Sequence, residues 1–199
     1  MGYYLPAKAR KSRFVEMFGD PVLNDKGWSI KSLADIGENL DGKRIPITAG
    51  DRKPGPYPYF GASGVVDHVD GYIFDEDILL ISEDGANLLA RTTPIAFPAF
   101  GKTWVNNHAH VIRFPCVATQ NYVERFLNLI KIDSYVTGTA QPKLNQAKLN
   151  SIPIPFPPLE TQEAFLGFIA QLDKSEFAVR KRLEKARQLY RAKLQEYFG

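Results

Sequence analysis

Apolar residues recur at alternating spacings of three and four through the last part of the chain. Phe165, Ile169, Leu172, Val179, Leu183, Ala186 and Tyr190, with Leu194 and Tyr197 beyond, form a single stripe on a single helix. The approach to that helix is Ser151-Ile-Pro-Ile-Pro-Phe-Pro-Pro158, whose prolines forbid helix and favour an extended strand edge. Pro158 suits a first helical position, and Glu160 and Glu163 place negative charge at the positive end of the helix dipole. Arg187, Arg191 and Lys193 favour the opposite end. A helix from Glu160 to Phe198 reaches about 58 Å, longer than a compact domain of this size is wide. Its stripe therefore needs a cover. The helix either folds back on its own domain or pairs with another helix. The solvated look of Lys174, Arg180, Lys181, Lys185 and Arg187 favours the second reading, as do the polar stripe residues Glu176 and Lys193, which would specify register at some cost in stability. The expected dimerisation seam is Ile169, Leu172, Val179, Leu183, Ala186 and Tyr190.

From the other end, Ala7 to Phe18 reads as a short amphipathic helix, with Phe14, Val15 and Phe18 clustered and Lys8, Arg10, Lys11 and Arg13 outside. Gly19-Asp20-Pro21 stops it, and Asn24-Asp-Lys-Gly27 is a turn. Trp28 to Ile36 suggests a first strand or short helix. Residues 40–158 lose helical periodicity. Short β-favouring runs appear at Tyr57–Phe60, Gly71–Phe74, Ile78–Ser82, Thr93–Phe97 and His110–Phe114, punctuated by Gly61, Gly64, Gly71 and Gly85. Gln120–Leu129 and Gln141–Leu149 read as flanking helices. The plan is an α+β chain in three parts: a short N-terminal helix and linker over 1–27, a β-rich domain over 28–158, and a long coiled-coil helix over 159–199.

Composition narrows the class. The lone Cys116 excludes a disulfide framework within the chain and a cysteine-rich zinc site. No apolar stretch is long enough to span a membrane, and the first residues lack a signal-peptide apolar region, so a soluble cytoplasmic protein is expected. The net charge of +3 belongs to the two terminal segments, since the middle is slightly acidic. A nucleic-acid reading must therefore rest on local clusters.

Several catalytic signatures fail on spacing. Gly101-Lys102-Thr103 resembles the end of a phosphate-binding loop, but Ala96 stands where the earlier glycine is required. Gly61-Ala-Ser-Gly64 misses the nucleophile-elbow spacing. Asp67, Asp70, Asp75, Glu76, Asp77, Glu83 and Asp84 form an acidic belt that suits turns and solvated strand faces better than a divalent metal. His108 and His110 alternate along a strand-like run without an evident third ligand. The chain reads as a binder. Its basic clusters are Lys43-Arg44, Arg52-Lys53, Lys102 beside Trp104, and Lys143 with Lys148, with Asn106, Gln141, Tyr57 and Tyr59 nearby. Lysine and arginine neutralise phosphates, and arginine, asparagine and glutamine also read base edges.

Three stretches, in order, resemble the specificity (S) subunit of type I restriction–modification enzymes. They are Ser12-Arg-Phe-Val-Glu-Met-Phe-Gly-Asp-Pro21 with Gly27-Trp28; Tyr59-Phe-Gly-Ala-Ser-Gly-Val-Val-Asp67 continuing through Tyr72 to Ile81-Ser-Glu-Asp-Gly-Ala-Asn87; and Gly138-Thr-Ala-Gln-Pro-Lys-Leu-Asn145 leading through Ile152 into the long helix. The resemblance implies a non-catalytic subunit whose target recognition domains each read half of a bipartite double-stranded DNA site. It also implies long helices that dock modification (M) methyltransferase subunits, which bring S-adenosylmethionine, so this chain carries no cofactor of its own; restriction (R) subunits can join. A usual S subunit has two recognition domains and two long helices, and this chain has one of each. The half-length form implies either a homodimer through the C-terminal helix, with a palindromic gapped target, or pairing with a different half. The expected DNA contacts are Lys43, Arg44, Arg52, Lys53, Lys102, Asn106, Gln141 and Lys143, with no catalytic residue and no metal ligand. A coiled-coil adaptor that binds protein without sequence-specific DNA recognition is the alternative.

Overall fold

The computed structural model describes residues 4–198. Helix α1 (Tyr4–Phe18) opens the chain. Gly19, at φ +82°, ends it, because a side chain there would run into Asp25. The Asp20 carboxylate accepts from the amides of Val22 and Leu23, and the Trp28 indole donates to the Phe18 carbonyl, so the linker is a tied turn. Residues Trp28 to Ile36 supply both alternatives expected there: strand β1 (Ser29–Lys31) followed by helix α2 (Leu33–Ile36). The proline-rich run contains β10 (Ile154–Phe156), antiparallel to β1.

The middle of the chain builds two four-stranded sheets. In the first, β2 (Glu38–Asn39), β9 (Ala109–Arg113), β6 (Ile78–Ser82) and β7 (Ala96–Ala99) lie in that order, all antiparallel. In the second the order is β4 (Gly64–Val69), β3 (Pro54–Gly61), β8 (Lys102–Val105) and β5 (Phe74–Asp75), with β3 and β8 parallel. Strand β6 is buried on both faces, and its period-two alternation feeds two cores. Ile78 and Leu80 face the second sheet with Phe60, Phe74, Val105 and Val111. Leu79 and Ile81 face the helices, where they meet Phe14, Phe18, Tyr122, Phe126 and Phe165. Helix α3 (Asn87–Ala90) and α4 (Val117–Leu129) flank the first sheet. The expected helix over Gln141–Leu149 shrinks to α5 (Gln146–Asn150), because Lys143 pairs its backbone with Thr137 and the Asn145 side chain caps the helix by accepting from Lys148.

Helix α6 (Leu159–Phe198) has 40 residues and is about 60 Å long. Pro158 precedes it as the residue whose carbonyl accepts from Thr161 and Gln162, one place earlier than expected. Its first turns belong to the domain. Phe165 stacks edge-on against Phe14 and Phe18, and Gln162 is held between Thr119 and the Pro157 carbonyl. The expected seam is thus corrected at its start: Ile169 is 5% exposed within the chain's own core. Leu172 is half-buried. The basic face of α1 also departs from expectation. Arg10 reaches both Asp173 (2.5 Å) and Glu176 (2.9 Å), and Arg13 lies over Phe168. Helix α1 therefore runs antiparallel along the first turns of α6, and the polar stripe residue Glu176 is answered from within the chain by Arg10. Val15, expected beside Phe14 and Phe18, is exposed.

Candidate nucleic-acid interface

The sites that matter lie where residues 40–53 leave the first sheet and cross the second. At the start of this strap sits a polar cluster. His110 on β9 is 2% exposed at its side chain, with Nδ1 2.6 Å from Asp41 and Nε2 2.7 Å from the Leu144 carbonyl. A carbonyl only accepts, so Nε2 donates to it, and Nδ1 faces the Asp41 carboxylate. Arg44 donates to Glu83 (2.6 Å) and to the Ala109 carbonyl (2.8 Å), and Lys143 reaches Glu83 at 3.1 Å. Burial pushes the Asp41 carboxyl up, but the hydrogen bond and charge of His110, with the Val111 amide, outweigh it and hold the group below its ordinary value. Glu83 follows the same logic: burial opposes, Arg44 and Lys143 prevail, and the carboxyl is lowered.

Asp41, Glu83 and His110 also bring their ligand atoms within metal-binding distance of one another. Arg44 and Lys143 already occupy these carboxylates, so the donor set fits an internal ion network better than a cation site. The acidic belt does not converge on one point. Asp67 pairs with Arg52, Glu76 with Arg113, Glu83 with Arg44, and Asp84 with His108. His108 and His110 also part company, since His108 stands in the turn before β9 and His110 on the strand.

Two of the resembling stretches clasp each other at this cluster. Leu144 donates its amide to the Glu83 carbonyl and Gly85 donates to that of Pro142, while Asp84 and Lys143 form a bridge. Gly138 makes the tight turn that returns the chain: its φ is +81°, and a Cβ there would lie 2.6 Å from the Gln141 carbonyl oxygen. Gly138→Val is expected to cost about 1–3 kcal/mol through strain at this turn. A melting curve checks the cost, and faster amide exchange at Lys143 and Leu144 would localise it.

Beyond the cluster the strap is pinned across β3 and β8. The Tyr59 hydroxyl accepts from the Ile47 amide, the Trp104 indole donates to the Ile45 carbonyl, and the Arg52 guanidinium stacks on Tyr59 while pairing with Asp67. The eight expected contact residues therefore divide. Arg44 and Arg52 are engaged internally, and Asn106 is buried, its side chain accepting from the His108 amide. Lys43 and Lys53 project from the strap, and Lys102 lies over the Tyr72 ring, which in turn meets Tyr57 edge-on. Gln141 is exposed at the tip of the clasp, and Lys143 is half-exposed beside Glu83. Lys53 and Lys102, with Tyr57, Tyr72 and exposed Ile45, lie on or beside the second sheet, Lys43 stands at the start of the strap near Glu38 of the first sheet, and Gln141 and Lys143 sit at the clasp. Tyr72 and Ile45 were not among the expected contacts; the recurrence of Tyr57, Tyr59 and Tyr72 among the glycines of 55–71 was the available signal.

A β-rich α+β domain mounted on one long protruding helix, its polar cluster neutralised internally and its cations gathered along a strap, defines a recognition domain on a stalk. This chain belongs to the family of the type I restriction modification DNA specificity domain, whose model matches residues 25–186. A putative type I restriction enzyme specificity subunit of Haemophilus influenzae is 32% identical over 155 residues, covering 78% of this chain. The chain spans only 40% of that relative. The fold is shared with a type I restriction–modification S subunit from M. genitalium, at a TM-score of 0.58 and 15% identity, over 98% of this chain and 54% of that one. It is also shared with a chain from a structure of type I restriction–modification complex assembly and conformational transition, at a TM-score of 0.53 and 15% identity, over 94% of this chain and 51% of the other.

Proposed function

We propose that this chain is one target-recognition unit of a type I specificity subunit, reading one half of a bipartite double-stranded DNA target without catalysing a reaction. In this reading α6 pairs with the helix of a second recognition unit and presents a docking surface to a modification methyltransferase, which carries the S-adenosylmethionine; a restriction subunit completes the assembly in a full system. The observation that carries the proposal is the stripe on α6 beyond the domain: Val179, Leu183 and Tyr190 are 62%, 49% and 66% exposed, on a helix that no element of the domain accompanies past α1. A helix pair of about 60 Å exceeds one DNA turn of about 34–36 Å, so two readers at its ends engage separated words with an unread gap.

The test is light scattering of the chain alone and with a methyltransferase subunit, followed by DNA titration at several salt concentrations. A mass near twice 22.4 kDa and a steep salt dependence support the proposal. Salt-insensitive or undetectable DNA binding would leave the protein-binding adaptor. Lys43→Ala with Lys53→Ala is expected to weaken binding to all sequences alike and to flatten the salt slope by about one unit per lost phosphate contact. An unchanged slope would remove the strap from the DNA face. No helix among the described residues is long and apolar enough to cross a membrane.

A further inference from the structure

His108 is exposed, yet the fold ties down every one of its polar atoms except one. Its amide donates to the Asn106 side chain at 2.8 Å, and its carbonyl accepts from the Glu83 amide at 2.9 Å. Its ring Nδ1 lies 2.8 Å from the Asp84 carboxylate, which is 16% exposed against 49% for the ring. Nε2 alone has no partner among the described residues. The anchors are themselves fixed. Asn106 is buried, and Asp84 sits inside the clasp, between the Glu83 carbonyl that accepts from Leu144 and the Gly85 amide that donates to Pro142. An exposed ion pair of this kind adds little stability. What the restraint does provide is a fixed direction for Nε2, so that a ligand meets it without the loss of rotamer freedom.

Asp84 also fixes the hydrogen on the ring. A carboxylate only accepts, so Nδ1 carries the hydrogen, and in the neutral ring Nε2 is then an acceptor. His110 is the opposite case, because both of its nitrogens are taken up inside the domain. Around His108 the clasp edge presents exposed Asn107 and Gln141 and half-exposed Lys143, a set of amides and a cation that suits a duplex. We infer that His108 is a base-reading residue: its Nε2 accepts a hydrogen bond from the exocyclic amino group of an adenine or a cytosine in the major groove. Asp84 is the positioning residue that makes it an acceptor. This inference rests on the DNA reading proposed above and names one of its specificity determinants. Phosphate oxygens, guanine N7 and O6 and thymine O4 are all acceptors, so an acceptor nitrogen finds no partner in them. In the major groove the donors are adenine N6 and cytosine N4. The phosphate contacts fall to the lysines.

Selection from a random duplex pool by the full chain, at about pH 8 where an ordinary histidine is neutral, first finds the word that is read. Duplexes of that word are then made in which each adenine or cytosine in turn is replaced by its analogue lacking the amino group. At one position the deletion is expected to weaken the parent about threefold to tenfold more than His108→Ala, which has already lost the contact. Selection with His108→Ala is expected to return the same word with that position degenerate. Asp84→Asn, whose amide can face either tautomer, is expected to relax the preference at the same position while the melting curve and the rest of the word hold. Parent and His108→Ala chains that select identical words and respond alike to every deletion would overturn the inference. So would a uniform loss of affinity in His108→Ala with the word unchanged, which would mean that Nε2 donates to phosphate. A parent chain that enriches no word at all would overturn the DNA reading, and this inference with it.

Discussion

Arg44→Ala is expected to lower the melting temperature by about 10 °C, the largest stability effect of any single cation in the domain. Its guanidinium is only 13% exposed, and it serves three acceptors at once: Glu83, the Ala109 carbonyl and, through Nε, the Asp41 carbonyl. Removing it takes away the closest cation of Glu83 and leaves Lys143 at 3.1 Å and the His110 ring at 3.8 Å, in a site only 11% exposed. Breaking a buried pair from one side costs about 3–5 kcal/mol, because the abandoned charge stays out of water. For a chain of this size each kcal/mol moves the midpoint by about 2–4 °C. Arg44→Lys is expected to recover only part of the loss, since an ammonium cannot hold a carboxylate and a carbonyl with one planar fork. If Arg44→Ala melted with the parent protein, the cluster would be a surface decoration and the clasp would owe nothing to it.

The same cluster makes stability depend on pH in a stated direction. Asp41 and Glu83 are both held below their unfolded-state values in the folded chain. The folded state therefore binds fewer protons than the unfolded state between the two values, and stability rises with pH through that window. The contribution is complete above the ordinary carboxylate range, near pH 4, and is lost as pH falls through the lowered folded values. Arg44→Ala removes the first of the hydrogen bonds that hold Glu83 down, so its acid unfolding is expected to begin at a higher pH. Circular dichroism between pH 2 and pH 6 reads this directly, on the scale of the carboxylate range. Coincident acid transitions for the two proteins would separate the ion network from the acid response.

What was legible in the chain follows from the range over which each interaction acts. The long helix, strand Ile78–Ser82 and the extended proline run are written in local spacing, and each occurs where expected. Strand Gly64–Val69 hid because Val65 and Val66 are both exposed, so it lacks the alternation that announces a half-buried strand. Strand Lys102–Val105 looked like a broken phosphate loop; its glycine, at φ +60°, makes the turn out of Ala99 instead. The clasp was visible as a resembling stretch but not as a clasp, because its partners, Glu83 and Gly85, lie more than fifty residues away. Arg44 shows the limit most plainly. Beside Lys43 it reads as half of an exposed basic pair, and only the fold reveals that one residue points out and its neighbour in. The first residue of the seam, Ile169, was hidden in the same way. Heptad spacing runs unbroken from Phe165 to Tyr197, and nothing in α6 alone says that α1 closes its first part.

Tyr190→Asp is expected to dissociate the helix pair by about a hundredfold to ten-thousandfold while leaving the domain's melting curve unchanged. The side chain is 66% exposed and stands well beyond the last residue that α6 buries in its own domain, so the fold has no stake in it. A pair of identical helices doubles the substitution, and losing two such side chains forfeits about 3–6 kcal/mol of apolar burial. At about 1.4 kcal/mol per tenfold, that sets the range, before the cost of burying a carboxylate is added. Leu183→Asp, on the same exposed stripe at 49% exposure, is expected to act in the same direction. Sedimentation over a concentration series measures both constants. If the pair holds two recognition units on one DNA, the Tyr190→Asp chain should bind a single half-site with unaltered salt dependence but lose the gain that a correctly spaced second half-site confers.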